Sequence, residues 1–349
     1  MQSDRSFYFS KKVTFLNTFM TFLIVILHAK TPERWGLPLD MRYPFIYLVN
    51  AFTQVGVPMF FFISGLLFYR NCTFSEIERK LHSRVHSLLV PYIIWNTLFV
   101  GIFFFLTHIP FFHDKMNAGN VLDDPLEIIN AILNARYSVL WFVKDLMIFC
   151  LLSAGIFLTL KNRTAAFTIL ILSIMNVLLS NYSYENIFTW FPIYFSGAIM
   201  GKYYSGENHS YCSITSYMKN KVQRYCTITI LTIGFVCLYV VAIYKPEGVF
   251  IFRLISPIIL WYLTDLLLEH FLNKRFHTKV WMSYTFFIFC THHFLLNVIQ
   301  KMVVLTCPPT PLVLNVTYII SPIVVVGILI ITAKFLSRYK FYTYLSGGR

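Results

Sequence analysis

His28 is the only ionisable side chain in an apolar run that extends from residue 13 to residue 29. The run is long enough to cross a bilayer, because a spanning helix needs roughly 17 to 25 apolar residues. An ionisable residue inside such a helix is by default a functional site, and an imidazole takes up and returns a proton near neutral pH. The run therefore predicts that His28 belongs to a functional site, where its chemistry would suit a base. The alternative is a histidine that lies at the headgroup level and has no chemical role.

A small-residue pair and a basic pair follow in the next segments. Ser64 and Gly65 interrupt a Phe-rich helix and predict a notch that another helix approaches closely. Lys80 and Arg84 are four residues apart, so they share one helix face and predict a cationic patch at the inner mouth of a helix bundle. The alternative for this basic pair is that its charges only orient the chain in the membrane.

Polar residues also occur inside two later apolar segments. Trp141 predicts an anchor at the membrane interface. Lys144 and Asp145 are neighbours, so their side chains point in different directions and do not pair with each other; each needs another partner or a wet cavity. His292 and His293 lie near mid-depth of a late segment, and at most one of two adjacent histidines can face the bundle centre fully.

Composition places the whole chain in a membrane. Hydrophobic residues make up 57% of it, charged residues 13%, and its mean hydropathy is +0.64, so it has about half the charge content of a soluble domain. The net charge of +14 does not indicate nucleic-acid binding, because basic residues of a polytopic protein set its orientation and contact anionic lipid. No HExxH or CxxC motif occurs, and we predict no metal site.

The apolar segments predict an all-α, polytopic bundle of about ten transmembrane helices that forms a single domain over residues 1–349. Counted with an inner N-terminus, the inner segments hold 20 Lys and Arg and the outer loops 6, which predicts that both termini are cytoplasmic and that His28 lies in the outer half of its span. In the longest outer loop, residues 123–135 predict an interfacial amphipathic helix. The predicted spans cover residues 13–29, 45–69, 86–108, 137–160, 165–181, 187–204, 225–244, 249–269, 281–305 and 312–336.

Several short pieces of sequence occur in an order that carries a family resemblance. They are His28, the segment VPMFFFISGLLFYR at residues 57–70, Lys80 and Arg84 before Pro91 and Tyr92, LWF at 140–142, FSGAIMG at 195–201, and TFFIFCTH ending at His292. On these pieces the chain resembles the membrane-bound acyltransferase 3 family, ten-span bacterial enzymes that acylate sugars of cell-surface polysaccharides. The likeness covers nearly the whole chain.

The resemblance implies an O-acyltransferase of the inner (plasma) membrane that moves an acyl group, most often acetyl, from a cytoplasmic acyl-CoA to a hydroxyl of a lipid-linked or polymeric glycan. It implies acetyl-CoA or another acyl-CoA as donor substrate, no tightly bound cofactor, and partners limited to acyl-CoA, the glycan acceptor, membrane lipids and an optional second copy. His28 would be the base, or would carry the acyl group as an acyl-imidazole. The rival interpretation is a transporter or flippase of glycan or lipid that performs no acyl transfer.

The same resemblance assigns roles to further residues. It implies that the donor is bound by Asn17, Lys80 and Arg84. It implies that a substrate-binding or structural role belongs to Ser64, Gly65, Trp141 and His292. Two positions depart from the family pattern. Asn17 stands where members typically have an arginine eleven residues before the histidine, on the same helix face, and Lys80 stands for the first of two arginines, although an ammonium cannot bind phosphate in a bidentate way.

Overall fold

Long apolar segments fold as helices because a helix pairs each backbone N–H and C=O inside its own segment, where no water can do so. The computed structural model describes residues 2–29, 44–109, 124–180, 185–204, 220–270, 278–308 and 310–348. Within these ranges the regular structure is helical and contains no strand. The prediction of an all-α fold is confirmed.

Fifteen α-helices lie within the described residues. Two 3₁₀ turns at Phe74–Glu76 and Val280–Tyr284 and a π-helical turn at Val85–Leu89 accompany them. The α-helices are α1 Gln2–His28, α2 Pro44–Thr53, α3 Gly56–Tyr69, α4 Ile77–Arg84, α5 Val90–His108, α6 Pro125–Leu133, α7 Trp141–Leu151, α8 Ser153–Thr159, α9 Arg163–Ser180, α10 Ile187–Tyr204, α11 Lys221–Tyr244, α12 Pro246–His270, α13 Thr285–Thr306, α14 Pro311–Leu336 and α15 Tyr342–Ser346.

Eight helical stretches of the described chain are long and apolar enough to cross a membrane, and a ninth is the bent pair α7–α8. They correspond to nine of the ten predicted spans. The remaining one, residues 187–204, is the 18-residue helix α10, whose Pro, Gly and Lys residues make it less apolar. The polytopic membrane fold is confirmed. The orientation stays a prediction, and some of the basic residues on which it depends, among them Lys30, Arg34 and Lys274, lie outside the described residues.

Helices α3 and α10 form the most extensive helix contact in the described part of the chain. A side chain at Gly65, Gly197 or Gly201 would collide with the backbone of the opposite helix. Beside this seam, the rings of Phe61 and Trp190 stack with centroids 5.3 Å apart. Glycines allow the two backbones to touch, so the predicted notch at Gly65 is confirmed, and α3–α10 forms the central rod of the bundle.

The fourth predicted span is broken between α7 and α8, where the axis bends by 59°. A bend frees backbone carbonyls that need another donor inside a membrane. The Tyr69 hydroxyl, which is buried, donates to the carbonyl of Ser153 at 3.2 Å. The rod helix α3 thus stabilises the bend directly.

A buried ion pair joins α1 to α12. The Lys12 ammonium lies 2.6 Å from the Asp265 carboxylate, and the two side chains are 1% and 0% exposed. The same ammonium lies 3.7 Å above the ring of Trp261. Lys12 is one of the inner-segment charges counted above, and its charge is neutralised inside the bundle; the orientation that the count indicates stays a prediction.

Helix α6 forms in the loop where the sequence predicts it. Asp124 caps it by accepting a hydrogen bond from the backbone N–H of Leu126 at 2.9 Å. Ala131 packs against α5, whereas Leu126, Ile129 and Leu133 are more than half exposed. An apolar face of this kind fits a helix that lies in the membrane interface.

Candidate active site

One face of α1 carries the polar residues that point to a site. Asn17, Thr21 and His28 are spaced by four and seven residues, which places them above one another on the helix. Eleven residues at 1.5 Å each separate Asn17 from His28 by about 16 Å along the axis. The helix ends at His28, so the imidazole is at the last turn of this polar face.

A narrow cavity of about 60 Å³ runs beside the part of this face that carries Asn17 and Thr21. Its walls come from α1, α3, the α4–α5 junction, α7 and α13. The polar residues that line it are Asn17, Thr21, Ser64, Arg84 and Thr285, and the apolar ones are Phe60, Ile63, Leu67, Leu88, Phe142, Leu146, Phe286 and Phe289. The cavity is therefore an apolar slot with a few hydroxyls, one amide and one guanidinium.

The structure separates the two members of the predicted basic pair. Arg84 ends α4 and lines the cavity. Lys80 lies outside the cavity lining, and its ammonium donates to the backbone carbonyls of Phe68 at 2.5 Å and Arg70 at 3.2 Å. These carbonyls belong to the C-terminal end of α3, which attracts a cation. Lys80 thus stabilises the end of α3, and donor binding by either residue stays a prediction.

The structure also separates Ser64 from Gly65. Ser64 faces the cavity, whereas Gly65 contacts the backbone of α10 at Tyr194. Adjacent helical residues point about 100° apart, so one position can serve the cavity and the next can serve packing.

Trp141 lies outside the residues that line the cavity. Its ring packs against the fully buried Trp190, with centroids 5.4 Å apart, and the next residue, Phe142, is part of the cavity wall. Its neighbour Lys144 donates to the side-chain amide oxygen of Asn134 at 3.3 Å. A substrate-binding role for Trp141 stays a prediction, and the contact with Trp190 is a structural role.

Three histidines meet at the C-terminal end of α1. The Nε2 atom of His292 lies 3.3 Å from Nδ1 of His28, and the ring centroids are 5.1 Å apart. The His293 ring lies 5.4 Å from the His28 ring at an interplanar angle of 83°. His292 is fully buried and His293 half-buried, so only one of the adjacent pair is inside the core, as expected, yet both contact His28.

Sequence reasoning missed two of these side chains and the contact of a third. Thr21 and Thr285 line the cavity, although threonine is common in membrane helices and therefore carries a weak signal by itself. The spacing from Asn17 to Thr21 and on to His28 was the available signal for Thr21. Nothing in the sequence indicates that His293 reaches the end of α1, because that contact depends on how α1 and α13 pack.

The site offers an imidazole, a guanidinium and hydroxyl groups in an apolar setting. Across the residues that the structure describes, no three His, Cys, Asp or Glu side chains are arranged to hold a metal ion. A guanidinium in the wall of an apolar slot suits a ligand that is apolar along its length and anionic at one end.

Comparison with known proteins gives one match. A model of the acyltransferase 3 family, described as an acyltransferase domain, matches residues 13–334. No curated protein and no solved structure matches the chain.

Proposed function

The chain belongs to the acyltransferase 3 family of membrane proteins, since the family match covers nearly all of it, and from this premise we propose which acyl transfer it performs. The donor is a cytoplasmic acyl-CoA, with acetyl-CoA as the first choice. The acceptor is a hydroxyl of a lipid-linked or cell-surface glycan, and the reaction takes place in the inner membrane of the cell.

One observation carries this proposal: the polar face of α1 extends from the cavity that Arg84 lines to the imidazole of His28. A CoA thioester needs both ends of such a path. Its phosphates are anionic and suit a guanidinium, and its pantetheine arm is an extended chain that fits a narrow slot. The predicted orientation puts Arg84 toward the cytoplasm, where CoA is found, and His28 toward the outside, where the glycan is found.

The role of Asn17 follows from the same path. It lines the same cavity as Arg84, at the position where family members typically carry arginine. An amide donates and accepts hydrogen bonds but has no charge. We therefore assign to Asn17 a contact with an amide group of the pantetheine arm, and we assign the phosphate contact to Arg84 rather than to Asn17.

The chemistry requires His28 to remove a proton from the acceptor. The Nδ1 atom of His28 lies 2.8 Å from the carbonyl oxygen of Ile24. A carbonyl only accepts hydrogen bonds, so Nδ1 carries the hydrogen of the neutral ring and Nε2 carries the lone pair. Nε2 takes the proton of the acceptor hydroxyl while the oxygen forms a bond to the thioester carbonyl carbon. The carbon–sulfur bond then breaks, and the thiolate of CoA takes the proton back from His28.

The test uses purified protein in detergent with acetyl-CoA labelled in the acetyl group, together with a membrane glycolipid extract as acceptor. We expect the wild type to release CoA and to label the glycolipid. His28→Gln keeps hydrogen-bonding capacity but cannot take a proton, so transfer should fall by at least about 10²-fold.

His108→Gln is a matched control. The Nδ1 atom of His108 makes the same contact with the carbonyl four residues earlier, at 2.8 Å from Phe104, at the exposed end of α5. This variant should keep wild-type activity. Near-normal transfer by His28→Gln, or wild-type protein that leaves acetyl-CoA intact while it moves labelled glycolipid across a vesicle membrane, would reject the proposal, the latter in favour of the transporter.

A further inference from the structure

The geometry points to His292 as a positioning residue that accepts a hydrogen bond from Nδ1–H of His28 and thereby stabilises the protonated form of the base. This inference rests on the proposed function, because it gives His292 a role in the proton transfer that His28 performs. It concerns a residue that is fully buried and therefore out of reach of a substrate in the present arrangement.

The ring of His292 is held by its own helix. Its Nδ1 atom lies 2.8 Å from the carbonyl oxygen of Phe289 and 3.2 Å from that of Ile288. Both oxygens only accept, so Nδ1 of His292 carries the hydrogen. In the neutral ring Nε2 is then an acceptor, and it is this atom that lies 3.3 Å from Nδ1 of His28.

These contacts select one arrangement of hydrogens for the neutral pair. Nδ1–H of His28 is shared between the carbonyl of Ile24 at 2.8 Å and Nε2 of His292 at 3.3 Å. If His28 had its hydrogen on Nε2 instead, its bare Nδ1 would face a carbonyl oxygen and a second bare nitrogen. Three acceptors without a hydrogen between them repel one another, so the pair keeps the lone pair of His28 at Nε2.

The same contact gains strength during the reaction. When Nε2 of His28 takes the acceptor proton, the ring becomes an imidazolium and Nδ1–H becomes a charged donor. Hydrogen bonds from a charged donor are about twice as strong as neutral ones. His292 therefore stabilises the charged intermediate form of the base more than its resting form, which is the condition for an effect on rate.

His293 does not have the same relation to His28. Its ring meets that of His28 edge to face at 5.4 Å, and its Nδ1 atom lies 3.4 Å from the side-chain amide nitrogen of Asn297. A nitrogen that faces an amide donor is an acceptor already engaged on its own helix. The assignment is thus specific to the first of the two adjacent histidines.

Two substitutions of His292 separate hydrogen bonding from packing. His292→Phe keeps a ring of similar size but has no acceptor, whereas His292→Gln loses the ring but can present an amide oxygen near the position of Nε2. If His292 acts as the acceptor, His292→Gln should keep activity within about 10-fold of wild type, and His292→Phe should lose about 10- to 100-fold in kcat with the KM for acetyl-CoA unchanged.

The reverse order would overturn the inference, because a packing role favours Phe over Gln in a fully buried position. Equal activity of the two variants would also overturn it. Failure of the proposed function has a different signature, since His28→Gln would then stay active whatever the His292 variants do. Thermal unfolding of each variant in the same detergent identifies any loss of activity that comes from loss of fold.

Nitrogen NMR of protein labelled in its histidines tests the hydrogen arrangement without an activity assay. Signals assigned by comparison with His28→Gln and His292→Gln should show both rings with the hydrogen on Nδ1 and a bare Nε2 at neutral pH. A hydrogen on Nε2 of either ring would overturn the assignment, because the contact between the rings would then lack its donor or its acceptor.

Discussion

Two pairs of ionisable residues connect α1 to neighbouring helices. The pairs differ in whether one member can still accept a proton. Near the end of α1 that the sequence predicts to be the inner one, Lys12 and Asp265 lie 2.6 Å apart with opposite charges, and both side chains are buried. At the predicted outer end, His28 and His292 lie 3.3 Å apart and both are neutral in the arrangement inferred above. The ion pair uses its charges on each other, whereas the histidine pair leaves a lone pair at Nε2 of His28.

The difference shows how one membrane helix can carry a stabilising pair at one end and a reactive pair at the other. A buried charge in a bilayer requires a partner, and a fully satisfied pair is stable but inert. A histidine is neutral at rest, so it can lie in an apolar setting without a counter-charge and still accept a proton. The predictions below test whether α1 has this division, with a stabilising inner pair and a reactive outer pair.

The largest expected effect is on stability at the inner pair. Lys12→Ala leaves the Asp265 carboxylate buried without its partner, and loss of one member of a buried pair costs about 3 to 5 kcal/mol. The folded yield in detergent and the unfolding midpoint should both fall sharply. The double variant Lys12→Met with Asp265→Leu should recover most of this loss, because an apolar pair needs no counter-charge.

His28→Gln in the same unfolding assay sharpens the comparison, since its stability should stay within about 1 kcal/mol of wild type. If Lys12→Ala unfolds no more readily than His28→Gln, the two ends of α1 are not divided in the way described.

A smaller effect is expected at the mouth of the cavity. Arg84→Gln removes the guanidinium from the cavity wall, so the KM for acetyl-CoA should rise roughly 10-fold, and added salt should weaken the difference between variant and wild type. Lys80→Gln removes the donor to the carbonyls of Phe68 and Arg70, so it should lower stability more than donor affinity. Equal KM values for Arg84→Gln and wild type would mean that Lys80 and Arg84 contribute to structure and topology and not to donor binding.

The last prediction changes neither stability nor activity and tests the direction in which α1 crosses the membrane. A cysteine at Ile129, which is 52% exposed on α6, should react with an impermeant maleimide on intact cells, and a cysteine at residue 210 should react only after the cells are opened. This expectation rests on the excess of Lys and Arg in the predicted inner segments. Reversed labelling would put His28 on the cytoplasmic side and remove the proposed path from CoA to glycan.

The sequence predicts the features that depend on local chemistry. An apolar run of sufficient length must be a helix in a bilayer, so nine of ten spans appear as helices of adequate length and apolarity. Asp124 before Pro125 is a helix start that can be read directly. His28 stands out for the same local reason, as one ionisable group in an apolar run.

Contacts between distant helices could not be predicted in this way. Lys12 and Asp265 both count as charges near the inner surface, and only the approach of α1 to α12 shows that they pair. The different roles of Ser64 and Gly65 depend on the rotation of α3 about its axis, which is set by the backbone contact with α10. Orientation within a bundle is decided by packing against neighbours, and a single sequence contains that information only indirectly.

The inner pair also has a consequence for the order in which the protein is made. Lys12 is synthesised 265 − 12 = 253 residues before Asp265, which at about 5 to 20 residues per second is a delay of about 10 to 50 s. During this interval the ammonium has no Asp265 carboxylate, so its long side chain must extend to the membrane surface. The ion pair that joins α1 to α12 can therefore form only after α12 is in the membrane.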